Sequence, residues 1–118
     1  LGLELAGAAD GGDRIREAYA GLSPVHTVNN LGLVAWALSR NADDFSAAIG
    51  DVVAAGLDTD CNGATVGALW ALQGRDLPSH WLTPLQDRVC LSLSGVPELP
   101  VNILAARTLA VADSLAAG

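Results

Sequence analysis

Methionine is absent from the 118 residues, and aromatic side chains supply only 4% of them. Basic residues are also scarce, six against thirteen acidic ones, for a formal charge of −7. That balance argues against nucleic acid as a partner, because such proteins carry a basic face, and equally against anionic membrane surfaces. The six arginines are scattered along the chain and form no phosphate cradle. No run approaches the ~18–20 consecutive apolar residues that a membrane span needs. The N-terminus lacks a basic segment followed by an apolar stretch, so no signal peptide is visible. Two cysteines, Cys61 and Cys90, are too few for a disulfide scaffold, and reduced thiols in a cytoplasmic protein are expected. The stretch "LGLELAGAADGG" opens mid-pattern. With the missing Met it suggests a piece of a longer protein, a processed or recombinant start being the alternative.

What the chain does have is Ala, Leu and Val: 51% of it is hydrophobic, a composition suited to closely packed helices. Gly11-Gly12 reads as a turn, with Asp13 capping a helix from Arg14 to Ala20 that Gly21 closes. From Val25, apolar residues recur at helical spacing through Val28, Leu31, Ala35 and Leu38, and the other faces are also apolar, so this helix is expected to be buried nearly all round. Asp43 or Asp44 caps a third helix with Phe45, Ala48, Ile49, Val52 and Val53 on one stripe. After Asp58-Thr59-Asp60 a helix runs to about Gln73, with Gly74 as its stop. Gly63, Gly67 and Ala71, flanked by Ala64 and Ala68, predict close approach of a neighbouring helix there. A Pro-containing connector follows, with one short helix after Thr83. Ser92 to Pro100 is the least readable part, and Val101 to Ala117 is a final helix. β-branched alternation is scarce, so the expected class is all-α, a compact orthogonal helical array forming a single segment over residues 1–118.

The polar punctuation within "GLDTDCNGATVGALW" (Gly56–Trp70) has three readings. Asp58 to Gly63 matches the start of an EF-hand calcium loop, but the twelfth position, which needs a bidentate Glu, is Leu69, and the intervening sequence is apolar and helical. Helix capping explains one aspartate, worth ~0.5–2 kcal/mol, but two flanking a Thr is more polar capacity than a cap requires. A divalent-metal site is the third reading, because carboxylates at i and i+2 in an irregular segment can aim at one point and hard Mg²⁺ takes oxygen ligands. Two carboxylates alone do not complete such a site.

The segment "GLDTDCNGATVGALWALQG" followed by "LPSHW" resembles the C-terminal signature of the ADP-ribosylglycohydrolase family, approximately G-G-D-T-D-T-N-x-A-x-x-G-A-L with a later I-P-x-x-W. The match is carried by Gly56, Asp58, Thr59, Asp60, Asn62, Gly67, Ala68 and Leu69, then Pro78 and Trp81. It is specific over roughly Asp43 to Trp81 and looser on either side. The resemblance implies the C-terminal part of a larger all-α domain with a binuclear magnesium centre (Mn²⁺ possible), hydrolysing the bond between C1 of ADP-ribose and an acceptor on a protein or small molecule. Asp58 and Asp60 would be metal ligands, Asp60 bridging the ions, and the ions would orient a water and hold ribose hydroxyls. Cys61 stands where the family has Thr, and a neutral thiol is a poor match for Mg²⁺, leaving a backbone carbonyl or water as substitute. Leu57 stands in place of the second Gly. The family's N-terminal Thr/Ser-Asp-Asp motif is absent, and Asp43-Asp44 is not it. The remaining ligands are therefore expected from the N-terminal part of the same protein, and this segment alone is expected to be inert.

Possible supporting or substrate contacts are Thr59, Cys61 and Asn62 beside the pair, and His26, Asn29 and Asn30, which share one helix face at i, i+3 and i+4. The latter stripe suits a ribose, a phosphate or the outer shell of the metal site, but bonding to neighbouring backbone is favoured. Two further hypotheses stand beside the hydrolase: a catalytically inactive helical module binding ADP-ribose or a protein, and a structural segment whose aspartates only cap.

Overall fold

The computed structural model describes residues 1–118, which form two compact units, Leu1–Leu77 and Pro78–Gly118. The first holds four helices: α1 (Gly11–Ala18), α2 (Thr27–Arg40), α3 (Phe45–Ala54) and α4 (Thr59–Leu72). α2 is central, packing against α1, α3 and α4, while α3 also packs on α4. Each contributes residues at helical spacing: Leu33, Val34, Trp36 and Ala37 from α2, Phe45, Ala48 and Val52 from α3, Val66 and Trp70 from α4. Burying a side chain such as Val66 stabilises by roughly 1.5–3 kcal/mol. Phe45 meets Trp70 edge to face at 5.6 Å between centroids, an arrangement worth about 0.5–1.5 kcal/mol beyond area. Arg75 lies over the Trp70 ring, 4.8 Å from its centroid.

Three expectations for this unit are corrected. α1 starts at Gly11, with Asp10 as N-cap, so Gly11-Gly12 is its first turn and Asp13 is not a cap. The reason is Trp36. A Cβ on Gly11 would lie 2.2 Å from its Nε1, and one on Gly12 would lie 2.9 Å from the Ala55 Cβ. The glycines let α1 rest directly on the indole, whose N–H donates to the Ala8 carbonyl at 3.1 Å. α2 is buried on one side only, because Leu31 is 61% exposed and Val28 lies beside it on the open face. The small residues of α4 also do not admit a close neighbour. A Cβ at Gly63 would make an ordinary 3.5 Å contact with Val53, and one at Gly67 would meet nothing within 4 Å.

The helix ends follow local chemistry. Asp44 caps α3, accepting from the Ala47 N–H at 2.9 Å. Gly74, at φ +71°, turns the chain away after α4, a conformation glycine adopts without steric cost.

The second unit corrects the strictly all-α expectation. A single helical turn, α5 (Ser79–Leu82), and a 3-10 turn (Thr83–Leu85) lead into an antiparallel hairpin of β1 (Arg88–Leu93) and β2 (Val96–Pro100), followed by α6 (Val101–Ala116). Val89 pairs with Leu99 and Leu93 with Val96, with a register irregularity between Cys90 and Leu93. Val89 and Leu91 are half-buried on one face, and Gly95 at φ +75° makes the turn. Arg88 and Glu98 form an ion pair across the strands. No residue of this unit is buried, and α6 leaves Ile103, Leu109, Val111 and Leu115 exposed. No helix of the chain is long and apolar enough to cross a membrane.

Candidate metal centre

The entrance to α4 is built by an unusual approach. Gly56 and Leu57 both have left-handed backbone, at φ +81° and +63°. This costs Gly56 nothing, whereas an L-residue such as Leu57 gives up about 1–2 kcal/mol. Leu57 offsets part of that by packing its half-buried side chain against the core. These two residues swing the chain so that Asp58 becomes the N-cap of α4, at φ −87° and ψ 71°. The Asp58 side chain makes no capping hydrogen bond, so the cap reading does not account for its carboxylate. The calcium-loop reading also fails structurally, since residues from Thr59 onward are already helical.

Asp58, Asp60 and Cys61 converge. Their carboxylate oxygens and thiol sulfur all lie within 4.8 Å of one another, and no other group of three His, Cys, Asp or Glu side chains gathers in this way. Asp58 is half-buried, while Asp60 and Cys61 are exposed. Hydrogen bonding with the Asp58 carboxyl, and then with the Asp60 and Cys61 backbone N–H groups, holds the Asp60 carboxyl below its usual range. Its place in the first turn of α4 also suits a negative charge, which the helix dipole favours there. The thiol of Cys61 is pushed up by its hydrogen bond to Asp58 and by the negative charge of both carboxylates. A reactive thiolate is the wrong description of this cysteine.

The asparagines hold this entrance in place. Asn30 is 8% exposed and Asn62 is 3% exposed. The Asn30 Oδ1 accepts from the Asp58 N–H at 3.2 Å and from the Asn62 Nδ2 at 2.7 Å. Its Nδ2 donates to the carbonyls of Pro24 at 2.8 Å and His26 at 2.9 Å. Asn29, 1% exposed, donates to the Ser23 carbonyl at 3.0 Å and accepts from the Asn30 N–H at 2.9 Å. His26 is the N-cap of α2, its Nδ1 accepting from the Val28 N–H at 3.2 Å. The stripe of His26, Asn29 and Asn30 thus bonds to neighbouring backbone, and Asn30 alone among them reaches the aspartate segment.

Two concavities lie near the α4 entrance. One, about 230 Å³, lies between α2 and α4, lined by Asp58, Cys61, Asn30 and Asn62 and by Val25, Leu31 and Val34. The other, about 530 Å³, lies beside α1 and shares Leu57 and Asn29 with the entrance, but none of the converging ligand atoms. Thr65, which the sequence reading overlooked, lines the smaller groove. It donates to the Cys61 carbonyl at 2.8 Å, which occupies the carbonyl that would have replaced the missing Thr oxygen. The signal was there: a Thr four residues after the cysteine on a helix can bond back to its carbonyl.

The donor set decides what ion suits the site. Two carboxylates fit a hard divalent cation that keeps several waters. A thiol does not suit Mg²⁺ and is tolerated better by softer ions. Asp58 and Asp60 therefore fit the implied metal, and the neutral thiol of Cys61 beside them fits it poorly.

Compared with known proteins, residues 3–116 match the family model described as ADP-ribosylglycohydrolase. No curated protein and no solved structure matches the chain.

Proposed function

This chain belongs to the ADP-ribosylglycohydrolase family, and from that premise we propose that it contributes half of a magnesium-dependent site that hydrolyses the C1 glycosidic bond of ADP-ribose. The observation that carries the reading is the convergence of Asp58 and Asp60 within 4.8 Å at the entrance of α4, with the Asp58 side chain making no capping hydrogen bond.

Asp58 and Asp60 would hold the cations, and further acidic ligands would come from outside these residues, since nothing else in the chain joins the cluster. When bound, the metal would polarise a water and grip the ribose hydroxyls. The overall reaction bonds the water oxygen to C1, breaks the bond from C1 to the acceptor, and leaves the acceptor with the proton. Asp60, held below its usual range, stays ionised at neutral pH and keeps its charge available where positive character develops on the sugar. The groove between α2 and α4, at about 230 Å³, is smaller than the ~300–1,000 Å³ that encloses a whole ligand. It suits a ribosyl portion, with Val25, Leu31 and Val34 supplying its apolar wall. Substrates on this reading are ADP-ribosylated proteins or small ADP-ribosyl compounds.

The test is release of ADP-ribose from ADP-ribosylated Arg and Ser peptides with Mg²⁺ or Mn²⁺, using the chain alone and joined to an upstream segment carrying a Thr/Ser-Asp-Asp motif. The joined protein releases ADP-ribose and Asp60→Asn abolishes release. Ligand affinity with no release in any form would favour a binding module instead, a reading to which Cys61 in the donor cluster lends some weight.

A further inference from the structure

Asn30 is a buried amide with every hydrogen-bonding capacity used. Its two N–H bonds go to the Pro24 and His26 carbonyls, and its oxygen takes the Asp58 N–H and the Asn62 amide. It therefore ties three pieces of chain together: the loop before α2, the first turn of α2, and the entrance of α4. The bond to Asp58 spans 28 positions of sequence and lands on the peptide that follows left-handed Leu57. This is the hydrogen bond that holds the peptide from outside its own segment. The donor atoms of Asp58, Asp60 and Cys61 lie within 4.8 Å of one another on this short stretch, so the Asp58 peptide sets where they sit.

We infer that Asn30 is a positioning residue for the Asp58–Asp60 pair, acting through the Asp58 peptide and not on substrate. Removing its side chain frees the peptide to rotate and spreads the carboxylates, so the pair no longer presents one cation with a fixed set of oxygens. The inference rests on the metal reading above and adds to it a residue from a different helix. Residues that orient ligands from behind commonly govern metal affinity by roughly 10–100-fold when removed.

The experiment is a Mn²⁺ titration of the full chain, isotope-labelled and followed by paramagnetic broadening of the Cys61 and Asn62 amides. It is run well below the melting temperature of every variant, with helix content checked by circular dichroism. Asn30→Ala is the first variant. Asn30→Ser is the second, because its hydroxyl can still bond the His26 carbonyl four residues back but is too short to reach Asp58. Asn41→Ala is the structural control: it removes an amide at the opposite end of α2 that bonds Ala37 and Asp51. The expected result is a 10–100-fold weaker apparent Mn²⁺ affinity in both Asn30 variants, faster exchange of the Asp58 amide, and wild-type affinity in Asn41→Ala despite its lower melting temperature. Wild-type affinity in the Asn30 variants overturns the positioning role and leaves the metal reading standing. Equal weakening in Asn41→Ala also overturns it, by showing a general effect of destabilisation. A wild-type protein that shows no broadening near Asp58, alone or joined to the upstream acidic segment, fails the metal reading itself, and the positioning role falls with it.

Discussion

Leu57 offers a quantitative test of how the α4 entrance is built. It sits at φ +63°, where a non-glycine residue is strained by about 1–2 kcal/mol. Its side chain is half-buried against the core, so its packing returns roughly 0.75–1.5 kcal/mol, half the value for full burial of a leucine. Replacement by glycine relieves the strain, loses that packing, and adds about 0.5–1 kcal/mol of chain entropy to overcome. These contributions nearly cancel, and Leu57→Gly is expected to change stability by no more than about 1 kcal/mol. Leu57→Val behaves differently. It keeps the left-handed backbone with a β-branched side chain, for which that region is a genuine outlier, and removes a methylene worth about 0.8 kcal/mol. It is expected to lose about 2 kcal/mol, on the order of 10 °C in melting temperature for a domain of this size. Denaturant unfolding followed by circular dichroism gives both numbers. A Leu57→Val protein as stable as wild type, or a glycine variant less stable than the valine one, would refute the backbone argument.

Cys61→Thr replaces a soft, proton-bearing donor by a hard oxygen beside the carboxylates. Calorimetry should show higher Mg²⁺ affinity and lower Cd²⁺ affinity than wild type, and an unchanged ratio would mean that the thiol does not touch the ion. Gly11→Ala places a methyl against the Trp36 indole, where a Cβ would be 2.2 Å from Nε1. Overpacking of this kind costs about 1–3 kcal/mol, and the change should appear as a lower melting temperature with altered Trp fluorescence. Arg88 holds the Glu98 carboxyl below its usual range. A depressed acid stabilises above its unfolded pKa and loses that contribution as pH falls through its folded value. The β1–β2 hairpin should therefore loosen on acidification below the ordinary Glu range, seen as weakened cross-strand NMR contacts, and Glu98→Gln should remove this pH response.

What could be read from the residues was what depends on local pattern. α3 begins after a capping aspartate, Asp44 of the Asp43-Asp44 pair, α4 ends before Gly74, and α6 starts at Val101, because a capping side chain, a left-handed glycine and a preceding proline each act within a few residues. Trp36 and Trp70 are core, as their large apolar rings demanded. The motif with Asp58 and Asp60 was visible because its residues are contiguous. The misses involve partners distant in sequence. Gly11-Gly12 looked like a turn because the indole it makes room for is 24 positions away, or more. The open face of α2, with Leu31, looked buried because apolar periodicity does not say how many sides find a neighbour. The hairpin was hidden by Pro97 and Pro100, which demote a strand, although Val89, Leu91 and Leu93 alternate before Ser94-Gly95. The link from Asn30 to Asp58 crosses two helices and no spacing rule reports it.

The central claim is that Asp58 and Asp60 together face a divalent cation. The most direct measurement is anomalous diffraction from crystals of the protein soaked in Mn²⁺. The account predicts a manganese peak within bonding distance of both carboxylates, lost in Asp60→Asn. Ordered side chains with no peak between them, or a carboxylate bonded only to backbone amides of α4, would contradict it.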